Sequence, residues 1–423
     1  MSITRRIINA VRPTRSAMPP EPGRLITRRR EDTWRDYPAD GLTPSRLGQI
    51  LRASDDGALD AAMQLYEQME EKDAHLFSVA HTRRLALTGL DWEVVSAAEM
   101  SDGVDRSLAD EAADSCRRQL ARLDAFDEVL QHLALAVGRN IAVAELVWEA
   151  GAGGHRLAEI VPVDFTRLAF DELDRPRVLT QEQPYDGIAL AANKFVVHTP
   201  FSCAGHASRG GLLRVSALAF LGKHYALRDW LVFAEVYGMP IRLARYEPSA
   251  SAEEKRELLG MLQQLGSDAA GIFSKAVELE LIEPKHGGQG GSPYEKLCGF
   301  LNHEMSKAWL GQTLTTDTTG AAGTLTASQV HDRVRRDLRE DDIRKEGRTI
   351  RRDVLRPMAQ LKYGMDVPVP YFRRKLERPR DLRELADVLA VAANELGIQV
   401  PRKWAHQMLG IPEPSEAEEV LKG

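Results

Sequence analysis

The sequence predicts an α+β protein, mainly α, organised around long helices. Three observations predict it. Apolar residues recur at helical spacing through GLLRVSALAFLGKHYALRDW and again through YEKLCGFLNHEMSKAWLGQTL. A third stripe, Val330, Val334, Leu338, Ile343, Ile350, Val354 and Met358, repeats roughly every 3.6 residues along a charged segment. Between these helical runs, two shorter regions alternate or carry turn signals as strands do.

Taken in order, residues 1–41 hold nine arginines and no lysine among Pro13, Pro19, Pro20, Pro22 and Pro38. So few apolar residues cannot offset the entropy of ordering, so a basic, flexible N-terminal arm is expected. Its MSITRRIINAVRPTRS start has bases but no sustained apolar run, so no secretory signal is expected. Thr43 before Pro44 is an N-cap and N1 pair. Helical spacing follows at Leu59, Met63, Tyr66 and Met69, then Leu76, Val79 and Leu85. DWEVVSA alternates as a strand, and 102–137 is helical again, with Leu120, Leu123, Phe126, Leu130 and Leu133 on a stripe. From Ile141 to Thr180 the chain reads as β-hairpins, with turns at Gly151-Ala152-Gly153-Gly154 and Asp174-Arg175-Pro176, and KFVVHTP ends the region. Residues 42–210 are therefore expected to form one α+β domain.

Leu213, Ala217, Phe220 and Leu221, then Tyr225, Leu227 and Trp230, leave the next helix little polar face. Such a helix is buried in a core or between subunits. Lys223, His224, Arg228 and Asp229 in its middle rule out a membrane span. A strand–helix–strand insert follows: IRLARYE, EEKRELLGMLQQLG, then AGIFSKAVELELIEPK and a HGGQGGSP turn. The second long helix runs into GQTLTTDTTGAAGTLT, a loop of small residues with one acid and no base, aromatic or proline. Gly320 and Gly323 keep it pliable. The charged helix after it has N-cap candidates in Leu325-Thr326-Ala327-Ser328. It carries acids four residues ahead of bases at Asp332/Arg336, Glu340/Arg344 and Asp341/Lys345, and Pro357 is expected to kink or stop it. After Gly364 come a proline-punctuated link, an amphipathic helix in RDLRELADVLAVAANELG, and an acidic tail.

Composition bounds the function. At 423 residues, 43% hydrophobic and 28% charged, the chain is long enough for two or three cores. Its formal net charge is −6, so any contact with nucleic acid is expected to be local or non-adhesive. Three widely spaced cysteines, Cys116, Cys203 and Cys298, argue for a reducing compartment rather than a disulfide framework.

The GQTLTTDTTGAAGTL loop with its VHDxVRxDxxExD-like helix, the early LTPSRLGQILRASDDGALDAAMQLYEQMEEKDAHL and the late LGIQVPRKWAHQMLGIPEPSEAEEVL occur in order. Together they resemble the portal proteins of Mu-like tailed phages and prophages over nearly the whole chain. The resemblance implies a portal-type fold. In it 42–210 is wing-like, 211–240 a stem helix, 241–292 a clip and 293–312 a second stem helix. Residues 313–327 become a tunnel loop, 328–376 a wing helix and link, and 377–423 a helical, crown-like C-terminal part. It also implies a homo-oligomeric ring, a dodecamer, at one capsid vertex of the virion, assembled in the bacterial host cytoplasm. Double-stranded DNA would pass through the ring; terminase, head–tail adaptor and capsid proteins would be partners. Thr315, Thr316, Asp317, Thr318, Thr319, Gly320 and Gly323 would line the channel, offering hydroxyls without positive charge to a sliding duplex. Leu213, Ala217, Leu221, Tyr225, Trp230 and Trp309 would form the subunit interface.

Enzymatic motifs are mostly missing. Gly287-Gly288-Gln289-Gly290-Gly291 lacks the GK[ST] ending of a P-loop. His303-Glu304-Met305-Ser306-Lys307 has lysine where a zinc-protease HExxH needs histidine. Cys203-Ala204-Gly205-His206 has no matching ligand pair nearby. No catalytic residue, cofactor or metal site is therefore expected. Two alternatives stand against the portal reading. One is a metal-dependent nucleic-acid-processing enzyme built on Asp332, Asp337, Glu340, Asp341 and Asp342. The other is a head structural protein without a channel.

Overall fold

The structure, a computed structural model, describes residues 39–151, 154–200, 206–238, 242–246, 249, 251–257, 270–274, 293–313, 325–376 and 382–411. The basic arm over 1–38, the Gly287–Gly291 turn and Cys203 lie outside these residues.

Helix α1 (Pro44–Asp55) starts where Thr43 holds an extended backbone and its side chain accepts from the Arg46 N–H, with Pro44 in the first turn. Helices α2 (Asp60–Lys72) and α3 (Ala74–Thr88) are separated by Asp73 alone. Asp73 leaves helical space at φ −108°, ψ 104°, and its carboxylate caps α3 by accepting from the His75 and Leu76 amides at 2.9 and 3.0 Å. Leu59, Met63, Tyr66, Met69, Leu76 and Val79 are buried as their spacing predicts, whereas Leu85 is exposed.

Strand β1 (Trp92–Val95) leads to α4 (Arg106–Leu120), α5 (Phe126–Ala134) and the short α6 (Ala136–Arg139). Strands β2 (Ala142–Gly151) and β3 (Gly154–Pro162) form the expected antiparallel hairpin, with a register shift between Val147 and Trp148. Further on come β4 (Leu168–Phe170), β5 (Pro176–Val178), β6 (Ile188–Ala189) and β7 (Phe195–His198). Two three-stranded sheets result, in the orders β3-β2-β7 and β4-β5-β6.

Helix α7 (Leu212–Gly238) precedes β8 (Arg242–Tyr246), and β9 (Ala270–Ser274) pairs with β8 in parallel. Parallel strands need a crossover, and residues 252–257 within this connection are helical. Helix α8 (Pro293–Leu310) and the charged α9 (Leu325–Ile350) follow. Helix α9 begins at Leu325, so Thr326 and Ser328 lie inside its first turn rather than before it. Pro357 does not stop the helix. A π-helical turn, Arg351–Leu355, precedes α10 (Arg356–Tyr363), and Pro357 sits in the first turn of α10. Its missing N–H is tolerated there. The π turn also guards a sheet edge. On the edge strand β7, the Val197 N–H donates to Asp353 Oδ2 at 2.9 Å, and Arg352 Nη2 donates to the Val197 carbonyl at 2.7 Å.

The α+β region over 42–210 is joined by residues from much farther along the chain. Strand β10 (Tyr371–Arg374) pairs antiparallel with β1, matching Trp92 to Arg374 and Val95 to Tyr371. One core joins Cys116, Phe126, Leu130, Leu146 and Ile160 to Ile350, Val354, Leu355, Met358 and Phe372. Residues far along the chain thus complete a layer begun near its start.

The chain divides into two units between Arg374 and Lys375. The second has helices α11 (Leu382–Asn394) and α12 (Arg402–Leu409). Among its described residues none is buried, and Val388, Leu396 and Ile398 are more than half exposed.

Candidate functional site: the paired long helices

Helices α7 and α8 run antiparallel. Contacts between them recur in opposite order: Ser216 with Trp309, Gly222 with Leu301, Phe233 with Tyr294. Near the middle, a Cβ on Gly222 would lie 3.2 Å from Leu301 Cδ1, so a small residue lets the rods approach.

Trp309 anchors one end. Its ring is fully buried, and Nε1 donates to Ser216 Oγ at 3.0 Å; Ser216 Oγ in turn donates to the Leu212 carbonyl at 2.8 Å. Arg83 on α3 donates through Nη1 to the Trp309 carbonyl at 2.8 Å. The same guanidinium grips Asp342 on α9 at 3.0 and 3.2 Å. One turn along α9, Glu346 receives the Arg374 fork at 2.7 and 2.8 Å. Burial pushes the Glu346 carboxyl up, and Arg374 pulls it the other way. At the other side of α7, Lys223 Nζ donates to Asp73 Oδ1 at 2.7 Å, so the cap of α3 is also an ion pair with the long helix. Burial and the charge of Lys223 lower the pKa of His75, whose Nε2 lies 2.8 Å from Ser306 Oγ.

Two of the acids considered as metal ligands, Asp341 and Asp342, are held by different partners. Asp342 faces inward to Arg83, while Asp341 pairs with Lys345 at 2.6 Å on the outer side. The Asp341/Lys345 pairing is one of the three expected helix pairs. At the second, Arg344 Nε donates to the Glu340 backbone carbonyl at 3.3 Å instead. Among the described residues no group of three or more His, Cys, Asp or Glu could hold a metal. Lys307, standing where HExxH needs histidine, pairs with Glu304 at 2.6 Å.

The residues expected at a subunit interface divide. Leu213, Ala217, Leu221 and Trp309 are at most 3% exposed within their own chain, packed with Met305, Leu310 and Phe220. That assignment is corrected: these side chains are already used in the subunit's own core. Tyr225 and Trp230 are half-buried, and the Tyr225 hydroxyl donates to the Leu42 carbonyl at 3.1 Å. The sequence reading missed the opposite face. Val215 is 61% and Leu218 71% exposed. Farther along α7, Leu231 and Val232 are exposed, as are Leu297 and Phe300 on α8. Their apolar character was visible in the sequence; which side of each rod meets the core was not.

Thr315, Thr316, Asp317, Thr318, Thr319, Gly320 and Gly323 lie outside the described residues. The corner from which their segment departs is defined. Gly311 closes α8 at φ +67°, and a Cβ there would lie 2.7 Å from Val334 Cγ1. The end of α8 is thereby held against α9 about two and a half turns from its start.

Long paired helices with a parallel two-stranded insert between them, braced on a mixed α+β body, define a portal-type fold. Along 83% of this chain and 94% of the other, it is similar to a chain in the virion of a native gene transfer agent particle, with a TM-score of 0.50 and 12% identity. The model of the family described as the portal protein of Mu bacteriophage matches residues 63–411, so the chain belongs to that family. It is 31% identical to the Mu-like prophage FluMu protein gp29 of Haemophilus influenzae over 91% of this chain and 74% of that protein. It is 29% identical to the portal protein of Escherichia phage Mu over the same shares.

Proposed function

We propose that this portal protein closes into a ring of identical subunits at one vertex of a phage head, and that double-stranded DNA passes through the ring during packaging and ejection. The observation that carries the ring is the outward apolar surface of both long helices. After the core is filled, Val215, Leu218, Leu231, Leu297 and Phe300 still face solvent. Apolar side chains so placed mark an interaction surface. Because α7 and α8 offer different surfaces, a head-to-tail contact between copies closes into a ring. Twelve subunits is the number the family resemblance implies.

In such a ring the 313–327 loops face the lumen, where Thr315, Thr316, Thr318 and Thr319 offer uncharged hydroxyls. Translocation requires weak, exchangeable contact rather than phosphate gripping. The role is structural; ATP hydrolysis belongs to a separate terminase, which docks on the clip before the head–tail adaptor proteins do. Capsid proteins surround the ring in the virion, after assembly in the host cytoplasm.

Electron microscopy of the purified protein, together with a Thr315–Thr319 deletion in the phage, tests this. Rings with a central hole, and heads that assemble but package poorly in the deletion, are the expected results. A monomer at high concentration sinks the ring; normal packaging in the deletion sinks the role of the loop.

A further inference from the structure

A cleft away from the long helices gathers positive charge in an acidic chain. It is a cavity of about 440 Å³ between the second half of α4, the turn end of the β2–β3 hairpin and the end of α10. Arg118 enters it from α4, Arg122 from the turn just after it, Arg156 from β3 and Lys362 from α10, against one lining carboxylate, Glu149. That carboxylate is already taken by Arg156 at 2.6 Å. Lys362 Nζ is steadied by donating to Ser115 Oγ at 2.9 Å, and it lies 4.8 Å from the Tyr363 ring centre. Arg122 lies just past Ala121, the C-cap of α4, so the two cations gather where that helix ends. The C-terminal dipole of α4 stabilises cations in that turn only partly, and it says nothing about why Lys362 and Arg156 converge on the same space.

We infer that this cleft binds the phosphate backbone of double-stranded nucleic acid, independently of base sequence and outside the proposed channel. The lining selects the ligand class. With Arg156 paired to Glu149, the forks of Arg118 and Arg122 and the Lys362 ammonium suit phosphate oxygens. Protein partners are anchored by aromatic or large apolar side chains in pockets, yet the other lining groups are Ser115, Gln119, Ala150, Gly151, Gly154 and His155. Single strands are held by bases stacked on aromatic rings; the lining has no Phe, Tyr or Trp and a single imidazole, His155, which favours the duplex backbone. The inference does not depend on ring closure: the described lining groups all come from one subunit.

The test is fluorescence anisotropy of a labelled duplex of about 25 base pairs with the full chain, titrated at several salt concentrations. The variant is Arg118→Ala/Arg122→Ala. Arg348→Ala, at an exposed site elsewhere on α9, is the control. Both arginines of the variant are exposed, so its thermal melting is expected to match wild type, and melting is measured alongside. Binding is expected to weaken about 10- to 100-fold near 0.1 M salt, and the slope of log affinity against log salt to become shallower by about 1.8, for two lost phosphate contacts. The Arg348 variant is expected to bind as wild type does. Equal losses in the two variants, or no duplex binding by wild type, would overturn the inference. So would displacement of the duplex by millimolar inorganic phosphate, which would make this a small-anion site. Stronger binding of an oligoglutamate peptide than of duplex would assign the cleft to an acidic protein segment instead.

Discussion

Arg83 and Asp342, 259 residues apart in sequence, form a two-pronged ion pair at 3.0 and 3.2 Å with both side chains almost wholly buried. Because Arg83 also holds the last turn of α8 through the Trp309 carbonyl, this pair braces the helix before the loop against the helix after it.

Breaking the brace on one side leaves a buried charge without its partner. Asp342→Ala is expected to cost about 3–5 kcal/mol. Arg83→Met/Asp342→Leu, which removes both charges and keeps volume, is expected to recover most of it. Urea midpoints of Arg83→Met, Asp342→Leu and the double variant, analysed as a cycle, measure the coupling. Equal losses in all three would show that the pair does not act as a unit.

Two glycines let α6 meet the long helices. A Cβ on Gly138 would lie 2.9 Å from Leu213 Cδ1 and 3.0 Å from the Trp309 ring. Gly138→Ala is expected to cost about 1–3 kcal/mol through overpacking. Gly211, at φ +87°, would place a Cβ 2.2 Å from the Gly138 carbonyl oxygen. Backbone cannot yield as a side-chain tip can, so Gly211→Ala is expected to be the more damaging. Thermal melting ranks the two, and the reverse order would contradict the packing argument.

Buried histidines make stability fall in mild acid. Burial lowers His132 and His198 from 6.5 to about 4, with Arg352 and Lys345 adding to the effect at His198. Both are neutral in the folded chain, and the unfolded chain takes up protons first. Their contribution is therefore whole above pH 6.5 and is lost as pH falls from 6.5 toward 4. Each is expected to be worth about 3 kcal/mol by the lower limit. His198 Nδ1 lies 2.9 Å from Thr349 Oγ1. His198→Gln is expected to flatten the dependence of the urea midpoint on pH over this window. An unchanged slope would mean that His198 does not titrate there.

The two faces of α7 are expected to respond differently to charge. Leu218→Asp, at a 71% exposed site, is expected to change subunit stability by less than about 0.5 kcal/mol while abolishing rings. Leu213→Asp, at a fully buried site, is expected to prevent folding. Light scattering after size exclusion, paired with melting curves, distinguishes them. Rings surviving Leu218→Asp would remove this face from the interface.

Local signals were legible where one residue type satisfies one local need. Thr43-Pro44 starts α1, and the alternation in DWEVVSA marks β1. Gly151 ends β2 and Gly154 begins β3, where the sequence places a turn. The stripe on α9 was legible too, but the π turn before Pro357 was not. Its Asp353 and Arg352 are matched to a strand edge 155 and more residues earlier, and no local pattern encodes that distance.

The candidate site was half legible. The sequence marked α7 as apolar nearly all round, and an all-round stripe does not say which side is inside. Tertiary packing decided it, placing Leu213, Ala217, Leu221 and Trp309 in the core and leaving Val215 and Leu218 outside. By itself, then, the sequence determined the order and kind of the elements, because helix spacing, caps and turns act over a few residues. Only the tertiary structure decided that β10 returns to β1, that Arg83 meets Asp342 and which apolar faces stay in water. Those outcomes depend on which surfaces fit together across the folded chain, and that fit is a property of no single segment.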